Sequence, residues 1–218
     1  MLFLSALCNA QDTIRYPINE MKGIRLGVDA SKFLLPVMYN GERSGFEVTA
    51  DMHIKGNFFA TAEAGRLKVN INWKNESDSI TNYNYTGEGI YGKMGTDYNL
   101  LKSRRPFSND IVYGGVRYAY SRFSHQANSI AVRGHFWPDG TRLSMPKTTM
   151  DTHWLELLLG VKAEVVNNFY VGLTFRFKFM IVSPKDDFST PYIIPGYGNG
   201  NERFAIGINY YLSYNIHF

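Results

Sequence analysis

A chain of 218 residues, 44% hydrophobic and only 19% charged, is long enough for one domain, and no break in composition divides it. Its 15 Tyr, 15 Phe and 20 Gly favour strands over helices, and no apolar run approaches the ~18 residues of a membrane-spanning helix. The formal charge of +4 is dispersed along the chain instead of clustered on one strand or loop, so no nucleic-acid partner is expected.

The opening "MLFLSALCNAQDT" is a short apolar stretch ending in small residues, which reads as a secretory signal over residues 1–10 with cleavage after Ala10. Cys8, the only cysteine, lies within it. Lipidation of Cys8 is the alternative, although Leu7 is a poor residue for a lipobox. Residues 11–22 read as a periplasmic segment leading to a barrel over residues 23–218.

Eight segments then alternate with the period of two that places successive strand side chains on opposite faces. "GIRLGVDAS" sets Ile24, Leu26 and Val28 against Arg25, Gly27 and Asp29, and "GFEVTADMHI" sets Phe46, Val48 and Met52 against Glu47, Thr49, Asp51 and His53. "FFATAEAGRL" opposes Ala60, Ala62 and Ala64 to Thr61, Glu63 and Gly65; "GIYGKMGTDYNL" opposes Ile90, Met94 and Tyr98 to Tyr91, Lys93, Asp97 and Asn99. In "DIVYGGVRYAYSRF" the walls are Val112, Val116, Tyr118 and Tyr120 against Tyr113, Arg117 and Ser121. "HWLELLLGVKAEV" gives Leu155, Leu157, Leu159 and Val161 against Trp154, Glu156, Lys162 and Glu164. "FYVGLTFRFKFMI" gives Val171, Leu173, Phe175, Phe177 and Phe179 against Gly172, Thr174, Arg176 and Lys178. The last, "NERFAIGINYYLSYNIHF", has Phe204, Ile206, Ile208, Tyr210, Leu212, Tyr214, Ile216 and Phe218 on one wall, with Arg203, Asn209, Tyr211 and Ser213 on the other.

The connections alternate too. Gly56-Asn57 and Asn167-Asn168 read as tight hairpin turns that tolerate positive φ. Four other links read as long loops, roughly Phe33–Ser44, Lys68–Thr86, Ser124–Thr149 and Ser183–Asn201. Short turns at one end and long loops at the other predict an all-β, eight-stranded, antiparallel up-and-down barrel of the outer-membrane type, with both termini in the periplasm. Strands longer than the ~9–11 residues of a tilted crossing support an apolar wall that faces lipid. So do aromatics near the turn ends (Phe59, Tyr98, Phe169, Tyr214 and Phe218), placed as an interfacial girdle. Ending on Phe218, the segment carrying Tyr210, Leu212, Tyr214 and Ile216 resembles the carboxy-terminal insertion signal of outer-membrane barrels.

The polar wall is then a lumen. It collects Arg25, Asp29, Glu47, Asp51, Glu63, Lys93, Asp97, Arg117, Glu156, Lys162, Glu164, Arg176, Lys178 and Arg203, seven acids and seven bases. An eight-stranded barrel is just wide enough for side chains to fill it, and buried charges must pair, so a cross-lumen ion-pair network is expected. A plugged interior and a small porin both remain open at this point. A lipid-modifying hydrolase would need a nucleophile, a base and a carboxylate together, and "SHQANS" offers Ser124 or Ser129 with His125. No cofactor and no metal is expected, because no Cys–His or acidic group has ligand spacing. In the third loop Arg133, His135, Phe136, Trp137 and Arg142 gather aromatic and basic groups of the kind that contact protein or lipopolysaccharide. The fourth loop's Tyr192, Ile193 and Ile194 suggest that it is covered.

The blocks "GIRLGVDASK", "GFEVTADMHI", "AEAG", "GTDYNL", "GGVRYAYSRFS", "HWLELLLGVKAEVVNNFYVGL", "IIPGYG" and "FAIGINYYLSYNI" together resemble a domain-of-unknown-function family of small outer-membrane barrels from Bacteroidota. The resemblance covers nearly the whole mature chain. It implies location and fold, and no catalytic residue comes with it. It also implies partners: a lipoprotein and other barrels, in an accessory role within larger outer-membrane complexes such as the barrel-assembly machinery.

Overall fold

The alternation closes into a barrel in the computed structural model, which describes residues 23–74, 80–101, 110–132, 142–184 and 190–217. The proposed signal, Cys8 and the segment 11–22 lie outside them. Eight strands form the ring: β1 (Ile24–Asp29), β2 (Arg43–Lys55), β3 (Phe58–Lys74), β4 (Ile80–Asn99), β5 (Ile111–Val132), β6 (Arg142–Val166), β7 (Phe169–Val182) and β10 (Phe204–Ile216). The two-residue strands β8 (Ile193–Ile194) and β9 (Gly198–Asn199) make a separate hairpin, and one short helix, α1 (Ser31–Met38), follows β1. All ring neighbours are antiparallel, and the ring closes where β1 meets β10, with Val28 opposite Leu212.

Both tight turns form where glycine and asparagine permit them. Gly56 has φ +60° and Asn168 has φ +65°, in the left-handed region that these two residue types tolerate. His53 Nε2 lies 2.7 Å from the Gly56 carbonyl oxygen and steadies the first turn.

The barrel is inside out relative to a soluble one. Met94, Tyr118, Leu155, Phe179 and Phe204 lie along one hydrogen-bonded row around the wall, and all five point outward and are exposed. A water-soluble monomer does not expose a contiguous apolar belt of this kind, whereas lipid covers it at no cost. The closed ladder leaves no strand edge across most of the belt, as hydrocarbon demands. β1 is the exception. It stops at Asp29, and α1 packs beside β2 and the margin of β10 in its place, with Phe33, Leu34, Val37 and Met38 all exposed. Among the described residues, no helix is long and apolar enough to cross a membrane.

Several expectations are corrected here. The first long connection holds α1. The links expected as loops over Lys68–Thr86 and Ser124–Thr149 are largely strand, because β3 runs to Lys74, β4 begins at Ile80, β5 runs to Val132 and β6 begins at Arg142. Val69 faces Gly87, and Ile71 faces Tyr85, in an unbroken ladder. Past the apolar belt a strand's outer face turns polar, so the hydrophobic contrast fades while the backbone pairing continues. Phe59 is no girdle residue. It is buried in the lumen, 5.2 Å from the His53 ring, while its neighbour Phe58 faces out against Tyr98 at 5.0 Å.

Candidate functional site

Twelve of the fourteen charges expected in the lumen are buried there: Arg25, Asp29, Glu47, Asp51, Glu63, Lys93, Asp97, Arg117, Glu156, Lys162, Arg176 and Lys178. Two are not. Glu164 lies at the tight turn between β6 and β7, where its Oε1 accepts from the Asn168 backbone N–H at 2.7 Å. Arg203 precedes β10 and is exposed; its carbonyl accepts from the Met180 N–H at 2.9 Å. Alternation places a residue on a face only while the ladder lasts, and Arg203 falls just beyond it. The remaining six acids and six bases stay balanced.

The network has two joined parts. Toward the turn end, Asp51 receives Arg25 Nε at 3.1 Å and Lys162 Nζ at 2.7 Å. Asp97 receives Arg117 Nη2 at 2.8 Å and the Thr61 hydroxyl at 3.2 Å. At mid-barrel, Lys93 Nζ stands 3.1 Å from Glu47, 3.2 Å from Glu63 and 3.8 Å from Glu156. Arg176 bridges Glu63 at 2.8 Å and Glu156 at 2.5 Å. Arg117 joins the two parts, because its Nε also lies 3.5 Å from Glu63. With Tyr211 on β10 donating to Glu47 at 2.7 Å, all eight ring strands contribute a side chain.

Aromatic partners complete the lining. Tyr91 donates to Glu47 at 2.7 Å, and Trp154 Nε1 donates to Glu156 at 2.8 Å. Arg25 lies over the Tyr170 ring at 4.8 Å, and Lys162 over Tyr113 at 4.9 Å. Glu47 and Glu156 each accept from two or more donors, and Glu63 accepts from Arg176 with the Lys93 and Arg117 cations beside it, so the buried charge is compensated. Alternation had placed Tyr91, Tyr113, Trp154 and Tyr211 on the polar wall. The partners of Tyr91, Tyr113 and Tyr211 lie on other strands and could not be read from it, whereas Trp154 reaches Glu156 two residues along its own strand.

Above the network a loop folds into the barrel mouth. Ile194 and Tyr197 are buried among Tyr91, Ala119, Phe123, Met150 and Trp154, with the Tyr197 ring 5.6 Å from Trp154. Lys178 Nζ donates to the carbonyls of Gly196 and Tyr197, each at 2.8 Å. The Tyr197 hydroxyl donates to the Glu202 carbonyl at 2.8 Å, and burial with the nearby Glu202 carboxylate pushes this phenol up to about 12. The expected covering of the fourth loop is thus an insertion into the lumen, although Tyr192 itself remains exposed.

The hydrolase candidates fare differently. Ser124 and His125 are buried neighbours on β5 and border a small cavity with Glu88. Both Glu88 oxygens accept from cations, Oε1 from Lys147 and Oε2 from Arg66, each at 3.3 Å. The side chain of Ser129 lies outside the described residues. So do Arg133, His135, Phe136, Trp137 and Phe218 entirely; Arg142 heads β6 in register with Ala131, its side chain outside them also. Tyr210, Tyr214 and Ile216 face outward on β10, with Leu212 partly covered.

An outward apolar belt, a balanced ionic lumen and an eight-stranded closed ladder together define a small transmembrane β-barrel with a filled interior. The chain belongs to the DUF6048 family, a domain of unknown function whose model matches residues 4–218. No curated protein matches the sequence. Two solved structures are similar in outline. A major outer membrane protein from Thermus thermophilus shares 12% identity at a TM-score of 0.47, over 89% of this chain and 98% of that one. CarO2 of Acinetobacter baumannii shares 12% identity at a TM-score of 0.40, over 89% and 97%.

Proposed function

We propose that this protein is a sealed outer-membrane barrel that works as a non-enzymatic accessory or scaffold subunit, with both termini in the periplasm. One observation carries the reading: the lumen is spanned by ion pairs and hydrogen bonds drawn from all eight ring strands and capped by the 190–200 loop held by Lys178. A barrel filled in this way offers function only on its outer surfaces. Its wall would meet outer-membrane lipid and other barrels. Its ends would meet lipoproteins of a larger assembly, with the barrel-assembly machinery as one candidate. The outer face of β10, with Tyr210, Leu212, Tyr214 and Ile216, together with Phe218 in the sequence after it, would serve as the insertion signal.

Native purification of the tagged protein in mild detergent, paired with planar-bilayer recording of the product, tests this. Stoichiometric recovery of a larger barrel or lipoproteins, with no channel current, is the expected result. A barrel recovered alone that conducts would replace the scaffold reading with a porin.

A further inference from the structure

Along the β3–β6 side of the wall, the loop-end margin of the apolar belt is marked by two rows of charge in register. Arg66, Ile90, Arg122 and Asp151 lie along one row, and Lys68, Glu88 and Ser124 along the next toward the loop end. Just beneath them Tyr118 and Tyr120 point outward, and the Tyr120 hydroxyl donates to Asp151 at 2.6 Å. Tyrosines below and cations above are the arrangement found where a barrel passes from hydrocarbon to headgroups.

The second row opens into a cavity of about 230 Å³ bordered by Lys68, Thr86, Glu88, Ser124, Gln126 and Lys147. Seven of its nine lining residues carry a polar side chain, His125 among them, and Val69 and Gly87 complete the wall. Arg66 and Lys147 grip Glu88 from two sides, and Lys68 is its register partner on β3. Three cations around one carboxylate leave a local excess of two positive charges. Arg122 and Asp151, 4.0 Å apart next door, cancel each other.

From this geometry we infer that the cavity binds the phosphate headgroup of an anionic lipid in the outer leaflet. An excess of two charges matches a phosphomonoester, which carries roughly −1.5 to −2 at neutral pH. Two Lys ammoniums, with the hydroxyls of Ser124 and Thr86, supply charge-assisted and neutral donors to its oxygens. The source is a lipid because the site begins where the apolar belt ends: a phosphate held at Lys68 and Lys147 has hydrocarbon-facing wall directly beneath it at Ile90 and Tyr120. The inference rests on the outer-membrane reading above.

The test uses the full chain folded in detergent micelles and in lipid vesicles. Its ligands are a bisphosphorylated lipid A, the dephosphorylated form of that lipid, and inorganic phosphate. Tight binding of the phosphorylated lipid, at least about tenfold weaker binding of its dephosphorylated form, and a further loss of about tenfold in K68Q/K147Q are expected. The K68R/K147R variant, which keeps both charges, should restore binding. Equal affinity for the two lipids overturns the proposal. So does inorganic phosphate competing as strongly as the lipid, which would make the ligand a soluble phosphate. Folding into vesicles, read by the heat-dependent gel mobility of a barrel, is scored separately. A chain that never inserts sinks the outer-membrane reading, whereas one that inserts without preferring phosphate sinks only the headgroup site.

Discussion

Lys178 and Tyr197 come from different parts of the chain, yet the β7 ammonium donates to the Tyr197 carbonyl at 2.8 Å and to the Gly196 carbonyl at the same distance. A strand lysine thus holds the backbone of a loop inside the barrel. Lys178→Met should release the loop, with a loss of about 2 kcal/mol from two charge-assisted bonds. Hydrogen exchange provides the check: amides of residues 192–200 should exchange faster while those of β5 and β6 keep their protection. Unchanged exchange in the loop would mean that apolar packing alone retains it.

Gly196 makes a second contact that no other residue can make. Its φ is +80°, and a Cβ at this position would stand 2.6 Å from the Tyr91 ring. Gly196→Ala should therefore cost about 1–3 kcal/mol, through backbone strain and the clash together. Gly41 has a similar φ of +81° but open space around it. Gly41→Ala isolates the backbone contribution and should cost less in urea unfolding from vesicles.

Arg176 bridges Glu63 and Glu156 in the centre of the lumen. Arg176→Met leaves two buried carboxylates short of a partner, and the expected loss is about 3–5 kcal/mol. Arg122, paired with Asp151 on the exposed wall, is the control. Arg122→Met should cost under about 1 kcal/mol. Equal losses for the two would show that the lumen pairs add nothing beyond surface pairs.

Because two closures stand in series, removing one should not open the barrel. Deleting residues 192–199 is expected to leave planar-bilayer current at baseline, since the network below still spans the lumen. Adding Arg176→Ala and Glu156→Ala to that deletion should produce measurable steps. Current from the loop deletion alone would place the whole seal in the loop.

Much of this architecture was legible by counting in twos. Alternation put Arg25, Glu47, Glu63, Lys93, Arg117 and Arg176 on one wall and Leu157, Phe175 and Ile208 on the other, and Gly56 and Asn168 marked the turns. It also held Phe59 on the side of Thr61 and Glu63, and this parity overrides its girdle-like position near a turn. Polar composition misled where β3 to β6 outrun the belt, because backbone pairing does not require an apolar outer face there.

Pairing itself came only from the tertiary structure. Arg176 meets Glu63 across a separation of 113 residues, and Lys162 meets Asp51 across 111. Which charges meet depends on strand stagger around a closed ring, a property of the whole barrel that no local pattern encodes. The inward turn of Ile194 and Tyr197 had the same origin. Two apolar residues in a loop need cover, and only the assembled barrel supplied a mouth lined by Tyr91, Phe123 and Trp154 to receive them. The sequence by itself determined that these strands exist and which side chains share a face, because strand periodicity is local. Closure of the ring decided which of those side chains touch.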